Sequence, residues 1–200
     1  MSIVEKYLKE LKRAYYRNGG KEMWDNFEKL KEGASEEDIK KLKEEYPEVP
    51  DSLIELLKNV DGTYFRKYKG KTVAFDFLGS DVEEYPYYLL SSSQILESKN
   101  EAYDFYADYV DRKYEEVEID EKIINDSKKM RWLHFSDCMN NGGTSQLFID
   151  FSPSEKGVKG QIVRFLHDPD EIAVIADSFD EYLEKLMEYE LDFINEDTME

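Results

Sequence analysis

Cysteine and histidine are scarce in this chain of 200 residues, and their scarcity excludes several kinds of chemistry. A single cysteine, Cys138, excludes an internal disulfide. With only two histidines, His134 and His167, the chain offers few soft ligands, so we expect no metal or other cofactor. A nucleophilic pair of Cys138 with either histidine lacks any surrounding catalytic signature, and a free cysteine is more often a small buried apolar residue.

Long apolar runs are also missing. The sequence contains no stretch of about 18 apolar residues, the length that spans a bilayer. Its beginning, Met1–Arg13, is amphipathic and lacks the apolar centre and cleavage site of a signal peptide. We therefore expect a cytoplasmic protein.

Basic residues are few relative to acidic ones, 27 against 46, which gives a net charge of −19. This balance argues against binding to nucleic acid or to an anionic membrane, since both need lysine and arginine. It favours a basic protein partner, or it serves solubility alone. The charge is uneven: residues 96–126 carry −7 and residues 180–200 carry −8, whereas residues 1–33 carry +2.

Helical patterns dominate the first part of the chain. Apolar residues recur at helical spacing over Ile3–Tyr16 and again around Trp24. Ser35 is placed to cap a third helix, and Asp61-Gly62 closes a short leucine-rich fourth helix that follows a proline turn.

Strand patterns dominate the second part. Ser93 is placed to cap one more helix from Gln94 to Val110, and residues 115–127 form a polar variable loop. The turn His167–Asp170 separates two apolar runs and a last helix. The predicted strands are Thr72–Leu78, Leu89–Ser93, Arg131–Phe135, Gln146–Phe151, Gln161–Phe165 and Ile172–Ala176. Helices followed by closely spaced strands predict an α+β fold with a mostly antiparallel sheet of about five to six strands.

Four motifs occur in an order that resembles the SUKH superfamily domain of the Smi–Knr type. They are ASEEDI with its proline turn, LLSSSQI, LFIDFSPSEKGVKGQIVRF and VIADSFDEYLEKL. The resemblance implies N-terminal helices and a C-terminal helix packed around the sheet. It divides the chain into a helical extension at 1–22, a SUKH-like domain at 23–188 and an acidic tail at 189–200 that we expect to fray.

An acidic stripe runs through the part of the chain that departs most from this family. Its six carboxylates are spaced by 4, 3, 4, 3 and 4 residues and would share one helix face, with Tyr103, Tyr106 and Tyr109 alongside. The stripe is either a solvated face or a docking surface for a basic protein. It consists of Glu97, Glu101, Asp104, Asp108, Asp111 and Glu115.

Four further residues are expected on the concave face of the sheet: Tyr64, Asp76, Asn141 and Asp150. They are candidate partner contacts or, in another interpretation, the carboxylates and polar groups of a hydrolase. The segment Asn141–Thr144 lacks the spacing and the lysine of a phosphate-binding loop and instead predicts a hairpin turn.

The family resemblance implies a binding protein and not an enzyme. Its bacterial members are largely immunity proteins against polymorphic toxins, and its fungal members take part in cell-wall regulation. We therefore expect a protein that binds and neutralises a cognate toxin, with a basic nuclease as the favoured partner. A regulatory scaffold that involves no toxin is the alternative.

Overall fold

The computed structural model describes residues 1–82, 85–138 and 145–199, and over these residues the predicted α+β fold is confirmed. The helices within this part of the chain are α1 (Ile3–Arg17), α2 (Lys21–Leu30), α3 (Glu36–Glu45), α4 (Asp51–Asn59), α5 (Ser92–Glu97), α6 (Glu101–Val110) and α7 (Phe179–Glu188). The strands are β1 (Arg66–Tyr68), β2 (Lys71–Val73), β3 (Tyr88–Leu89), β4 (Glu118–Ile119), β5 (Trp132–Cys138), β6 (Ser145–Asp150), β7 (Gln161–Leu166) and β8 (Glu171–Ala176).

A six-stranded sheet forms the centre, with strand order β3-β5-β6-β7-β8-β4. All neighbouring strands are antiparallel except β4, which pairs in parallel with β8. The strands β1 and β2 form a separate hairpin. The mostly antiparallel sheet expected from the sequence is therefore confirmed.

Helices cover both faces of this sheet. On one face, which we call the core face, Phe135 packs edge-on against Phe179 and Tyr182 of α7. On the other, the α6 face, Tyr106 of α6 contacts Phe165 at a ring separation of 4.4 Å. Both faces thus bury apolar strand residues, which explains why the central strands are buried along nearly their whole length.

The N-terminal helices and the C-terminal tail join the same core. Tyr7 and Leu11 of α1 are fully buried. The expectation that the tail frays is wrong, because Leu191, Phe193 and Ile194 are each only 2% exposed. The division at 1–22, 23–188 and 189–200 remains a prediction.

Several predicted elements differ in their bounds. Of the predicted strand Thr72–Leu78, only the first two residues belong to β2, and Leu78 forms an isolated bridge with Tyr87. The segment predicted as a polar loop contains the short strand β4. The predicted turn Asn141–Thr144 lies outside the described residues.

Within the part of the chain that the structure describes, none of the helices has the length and apolarity needed to cross a membrane.

Candidate partner-binding surface

A transverse row of side chains crosses the α6 face from the sheet edge inward. Tyr88, Asp137, Gln146 and Phe165 pair directly across β3, β5, β6 and β7. Directly opposed residues of antiparallel strands project to the same face, so their side chains are neighbours. The row is polar at its outer end and apolar where α6 covers it.

A β-bulge turns Asp137 toward this face. The register between β5 and β6 shifts between His134 and Ser136, so Phe135 and Ser136 stand opposite the core-face side of β6. Strict alternation from His134, which stacks on Phe148 of the α6 face, would place Asp137 on the core face. The extra residue reverses that placement.

Gln146 joins Asp137 to the first turn of α6. Its Nε2 lies 3.5 Å from Asp137 Oδ2 and 3.4 Å from Glu101 Oε1. Its Oε1 accepts a hydrogen bond from the buried hydroxyl of Tyr106. One amide therefore holds two carboxylates side by side beneath the N-terminal end of α6.

Burial raises the pKa of Asp137 to about 6; Gln146 lowers it in part, and the neighbouring Glu101 raises it. Burial also lowers the pKa of His134 to about 4, so the nearby imidazole, 3.9 Å from Asp137 Oδ2, is neutral at pH 7. The His134 Nε2 donates to the carbonyl of Ser136 at 3.0 Å, since a carbonyl only accepts. Among the described residues, Asp137 Oδ1 has no hydrogen-bond partner.

Three aromatic rings adjoin this carboxylate pair. Tyr64 lies 5.2 Å from Phe65 and 5.3 Å from Tyr88, measured between ring centroids. Burial raises the pKa of Tyr64, and the charges of Asp137 and Glu101 raise it further. Phe65 is 57% exposed, so the cluster presents a large apolar surface to solvent.

The Asp61-Gly62 pair fixes the loop that carries these rings. Asp61 Oδ1 accepts hydrogen bonds from the amide and hydroxyl of Ser92, both at 2.8 Å, and Asp61 Oδ2 accepts from Arg66 at 2.7 Å. Gly62 has φ +87°, and a Cβ there would lie 2.5 Å from the amide of Ser91. The motif thus ties the ring-bearing loop to the start of α5.

Asp76 lies next to the strand that carries Tyr88, because the amide of the following residue, Phe77, donates to the carbonyl of Tyr87 at 2.9 Å. Its neighbours Phe75 and Phe77 are buried, and Phe75 stacks on Phe27 at 4.1 Å. The two anchored rings leave Asp76 at the sheet edge, where burial raises the pKa of its carboxyl to about 6. After burial, the charge of Asp76 is the largest cause of the raised pKa of Tyr88.

The outer face of α6 completes the surface. Glu101, Asp104, Phe105 and Asp108 follow i, i+3, i+4, i+7 spacing and therefore share one face. Phe105 is 64% exposed. The sequence analysis names the neighbouring tyrosines instead, although the helical period places Phe105 outside the buried face formed by Ala102, Tyr106 and Val110.

The predicted acidic stripe does not lie on one helix. The helix α5 ends at Glu97 and α6 begins at Glu101, with Ser98-Lys99-Asn100 between them. Serine and asparagine compete for backbone hydrogen bonds and favour such breaks. The helix α5 also begins earlier than predicted, because Ser91 and not Ser93 caps its first turn.

The far end of the stripe has a structural role. Asp111 caps the end of α6, and its carboxylate accepts from the amide and hydroxyl of Ser127 at 2.7 and 2.9 Å. These hydrogen bonds lower the pKa of Asp111. Glu115 lies beyond the helix. The part of the stripe that lies on α6 is therefore limited to Glu101, Asp104 and Asp108.

The remaining residues predicted on the concave face are not all brought together. Asp150 is fully buried, and its carboxylate accepts from Ser152 N at 2.7 Å and from Gln161 Nε2 at 2.9 Å. It lies at the opposite end of β6 from Gln146, so it does not join Tyr64 and Asp76, and the predicted hydrolase grouping is not assembled. Asn141 lies outside the described residues.

The cysteine and histidines do not form a site either. Cys138 belongs to the apolar cluster of the core face, whereas His134 stacks on Phe148 of the α6 face. Over the described ranges 1–82, 85–138 and 145–199, no three His, Cys, Asp or Glu side chains are grouped closely enough to hold a metal ion.

Comparison with known proteins supports the resemblance noted in the sequence. No curated protein matches the chain significantly. The family model described as "SMI1 / KNR4 family (SUKH-1)" matches residues 33–185, which include the described sheet, the outer face of α6 and the ring-bearing loop. The chain therefore belongs to the SMI1 / KNR4 family (SUKH-1), as the four sequence motifs indicated.

Proposed function

We propose that this chain is an immunity protein that binds and neutralises a basic cognate toxin. Its family includes toxin immunity proteins and fungal regulators, and these act by binding partner proteins. The proposed contact area, called here the acidic–aromatic surface, consists of the cluster Tyr64, Phe65 and Tyr88 and the outer face of α6 formed by Glu101, Asp104, Phe105 and Asp108.

The observation that carries this proposal is the exposure of large aromatic rings among carboxylates. Phe65 and Phe105 are 57% and 64% exposed. Exposed apolar side chains rimmed by polar groups are typical of protein interfaces, where aromatic anchors supply most of the binding energy. The carboxylates around them select a partner of opposite charge.

Charge also suggests how such a partner would be neutralised. A nuclease presents basic side chains where nucleic acid binds, and a carboxylate-lined surface can occupy that position. The net charge of −19 would speed the encounter over a distance of about 10 Å at moderate salt. The chain then acts by occlusion in the cytoplasm and performs no catalysis.

Charge reversal of the outer face of α6 tests the proposal. In the variant Glu101→Lys, Asp104→Lys, Asp108→Lys, we expect at least about tenfold slower association with the cognate toxin domain, and loss of protection in co-expression. The matched control reverses three exposed carboxylates on other elements, Glu22, Glu155 and Glu184. Equal slowing in both variants would show that only net charge matters and would remove this surface from the proposal.

A variant with unchanged charge separates the aromatic contribution. Phe105→Ala removes an exposed ring and is expected to increase the dissociation rate while leaving the association rate nearly unchanged. Surface plasmon resonance with the purified toxin domain measures both rates. Unchanged dissociation would exclude Phe105 as an anchor.

A further inference from the structure

Three carboxylates and two tyrosine rings meet at the outer end of the transverse row. Gln146 Nε2 lies near both Asp137 and Glu101, and Asp76 precedes Phe77, whose amide donates to the carbonyl of Tyr87 next to Tyr88. The rings of Tyr64 and Tyr88 are 5.3 Å apart at an interplanar angle of 48°, and Tyr88 pairs directly with Asp137. We call this group of five residues the notch.

Positive charge is missing from the notch in the part of the chain that the structure describes. Among the described residues, the ion pairs of lysine and arginine involve carboxylates outside the notch. For example, Lys99 pairs with Glu45, and Lys113 pairs with Asp108. Among the described residues, the basic group found within 4 Å of the Asp137 carboxylate is His134, which is neutral at pH 7 for the reason given above. A buried carboxylate without a counter-charge is costly, so a cation supplied from outside would be favoured there.

Asp137 itself has unused hydrogen-bonding capacity. It is 8% exposed, its Oδ2 contacts Gln146, and its Oδ1 has no partner among the described residues. Buried acceptors are normally satisfied, so this carboxylate oxygen on the transverse row can accept a further hydrogen bond from a bound donor.

The chemistry of the notch distinguishes among cations. A metal ion needs several ligands at short range, and the described residues offer no such group. An ammonium is a strongly hydrated point charge. A guanidinium is planar, stacks on aromatic rings and donates from several N–H groups to more than one carboxylate. The combination of two rings with neighbouring carboxylates therefore fits a guanidinium best.

We propose that the notch of Tyr64, Asp76, Tyr88, Glu101 and Asp137 receives an arginine side chain of the bound partner. The inference rests on the proposed function for the identity of the partner, but the subsite can be tested without it. Arginine binding would fix the position of the partner at the edge of the acidic–aromatic surface. It would add specificity, since attraction between opposite charges alone does not define one arrangement of the two proteins.

The test uses two short blocked peptides, acetyl-Gly-Arg-Gly-amide and its lysine counterpart, titrated into the full chain at pH 7.5 and followed by NMR. We expect the arginine peptide to bind with a dissociation constant on the order of 1 mM and about fivefold or more tightly than the lysine peptide. The ring resonances of Tyr64 and Tyr88 should shift in the wild-type chain, which requires no variant to fold. Equal affinities, or shifts that avoid these rings, would overturn the inference.

Two variants that remove equal charge then locate the subsite. Glu101→Gln with Asp137→Asn should weaken arginine-peptide binding about tenfold, whereas Asp104→Asn with Asp108→Asn should change it less than about twofold. Equal weakening in both variants would indicate diffuse attraction and contradict the subsite. Binding by the wild-type chain should also strengthen between pH 5 and pH 7.5 as Asp76 and Asp137 lose their protons.

The outcomes separate this inference from the proposed function. Arginine selectivity without any toxin binding would leave the notch in place and reject the immunity role. Toxin binding without arginine selectivity would reject the notch and leave the immunity role in place.

Discussion

An aspartate is buried at each end of the α6 face, and the two carboxylates differ in the number of hydrogen bonds that they accept. At one end, Asp150 is fully buried, and Ser152 and Gln161 donate three hydrogen bonds to its two oxygens. At the other end, the side-chain donor to Asp137 is Gln146, a hydrogen bond from the backbone of Cys138 also lowers its pKa, and its Oδ1 has no partner among the described residues. Burial raises the pKa of both, but only the first carboxylate is stabilised by a full set of donors.

The aromatic residues follow the same division. Where α6 covers the sheet, Phe148 is fully buried and contacts Trp132 and Tyr106. At the open end and on the outer side of the helix, Phe65 and Phe105 are more than half exposed. The closed region holds the fold together, and the open region retains unsatisfied charge and apolar area that a partner can use.

The largest effect is expected from the closed region. Phe148→Ala should reduce the free energy of unfolding by about 3–5 kcal/mol, because it leaves a cavity between α6 and the sheet. Urea denaturation measures the change. The matched exposed ring, in Phe105→Ala, should change stability by less than about 0.5 kcal/mol. A similar loss in both variants would mean that Phe105 is part of the core.

A smaller loss is expected from the satisfied aspartate. Asp150→Ala leaves the donors of Ser152 and Gln161 unpaired in a buried site, which should cost about 2–4 kcal/mol of unfolding free energy. The exposed Glu155→Ala serves as the control and should have almost no effect. A loss below about 1 kcal/mol for Asp150→Ala would mean that its hydrogen-bond network contributes little to stability.

Asp137→Asn should raise the free energy of unfolding, whereas Phe148→Ala and Asp150→Ala lower it. Burial raises the folded-state pKa of Asp137 from 3.8 to about 6, so ionisation lowers stability as the pH rises between these values. The variant should therefore be more stable than the wild type by about 1–3 kcal/mol at pH 7.5, with the gain disappearing near pH 4.

The pH series contains its own control. His134, with its pKa lowered to about 4, stabilises the fold above pH 6.5 and loses that contribution as the pH falls toward 4 in both proteins. The difference between the two unfolding curves thus reports the ionisation of Asp137 together with its contact to His134, 3.9 Å away. A gain that is independent of pH would contradict the assignment of the effect to its ionisation.

Periodicity and capping residues predicted most of the fold. The helices around Tyr7, Trp24 and Leu42, the four long strands and the capped last helix all form where the pattern placed them. The break at Ser98–Asn100 was missed, because the heptad-like spacing of the carboxylates continues across it. Buried residues in the tail were missed because acidic neighbours surround them in the sequence.

The candidate surface was less predictable, for a physical reason. A single β-bulge decides which face Asp137 occupies, and no local residue signal marks it. Tyr64 and Asp76 were named from the sequence, but their meeting at Tyr88 depends on pairing between distant segments. Glu101 was identified as one of six similar carboxylates, and only the packing of α6 on Gln146 distinguishes it.

Hydrogen exchange of the chain with and without its cognate toxin domain tests the central claim most directly. The account predicts that binding slows exchange in α6 and in residues 62–68, and leaves α1 and α2 unchanged. Protection confined to α1, α2 or α7, with none at α6, would place the partner elsewhere and contradict the acidic–aromatic surface as the binding site.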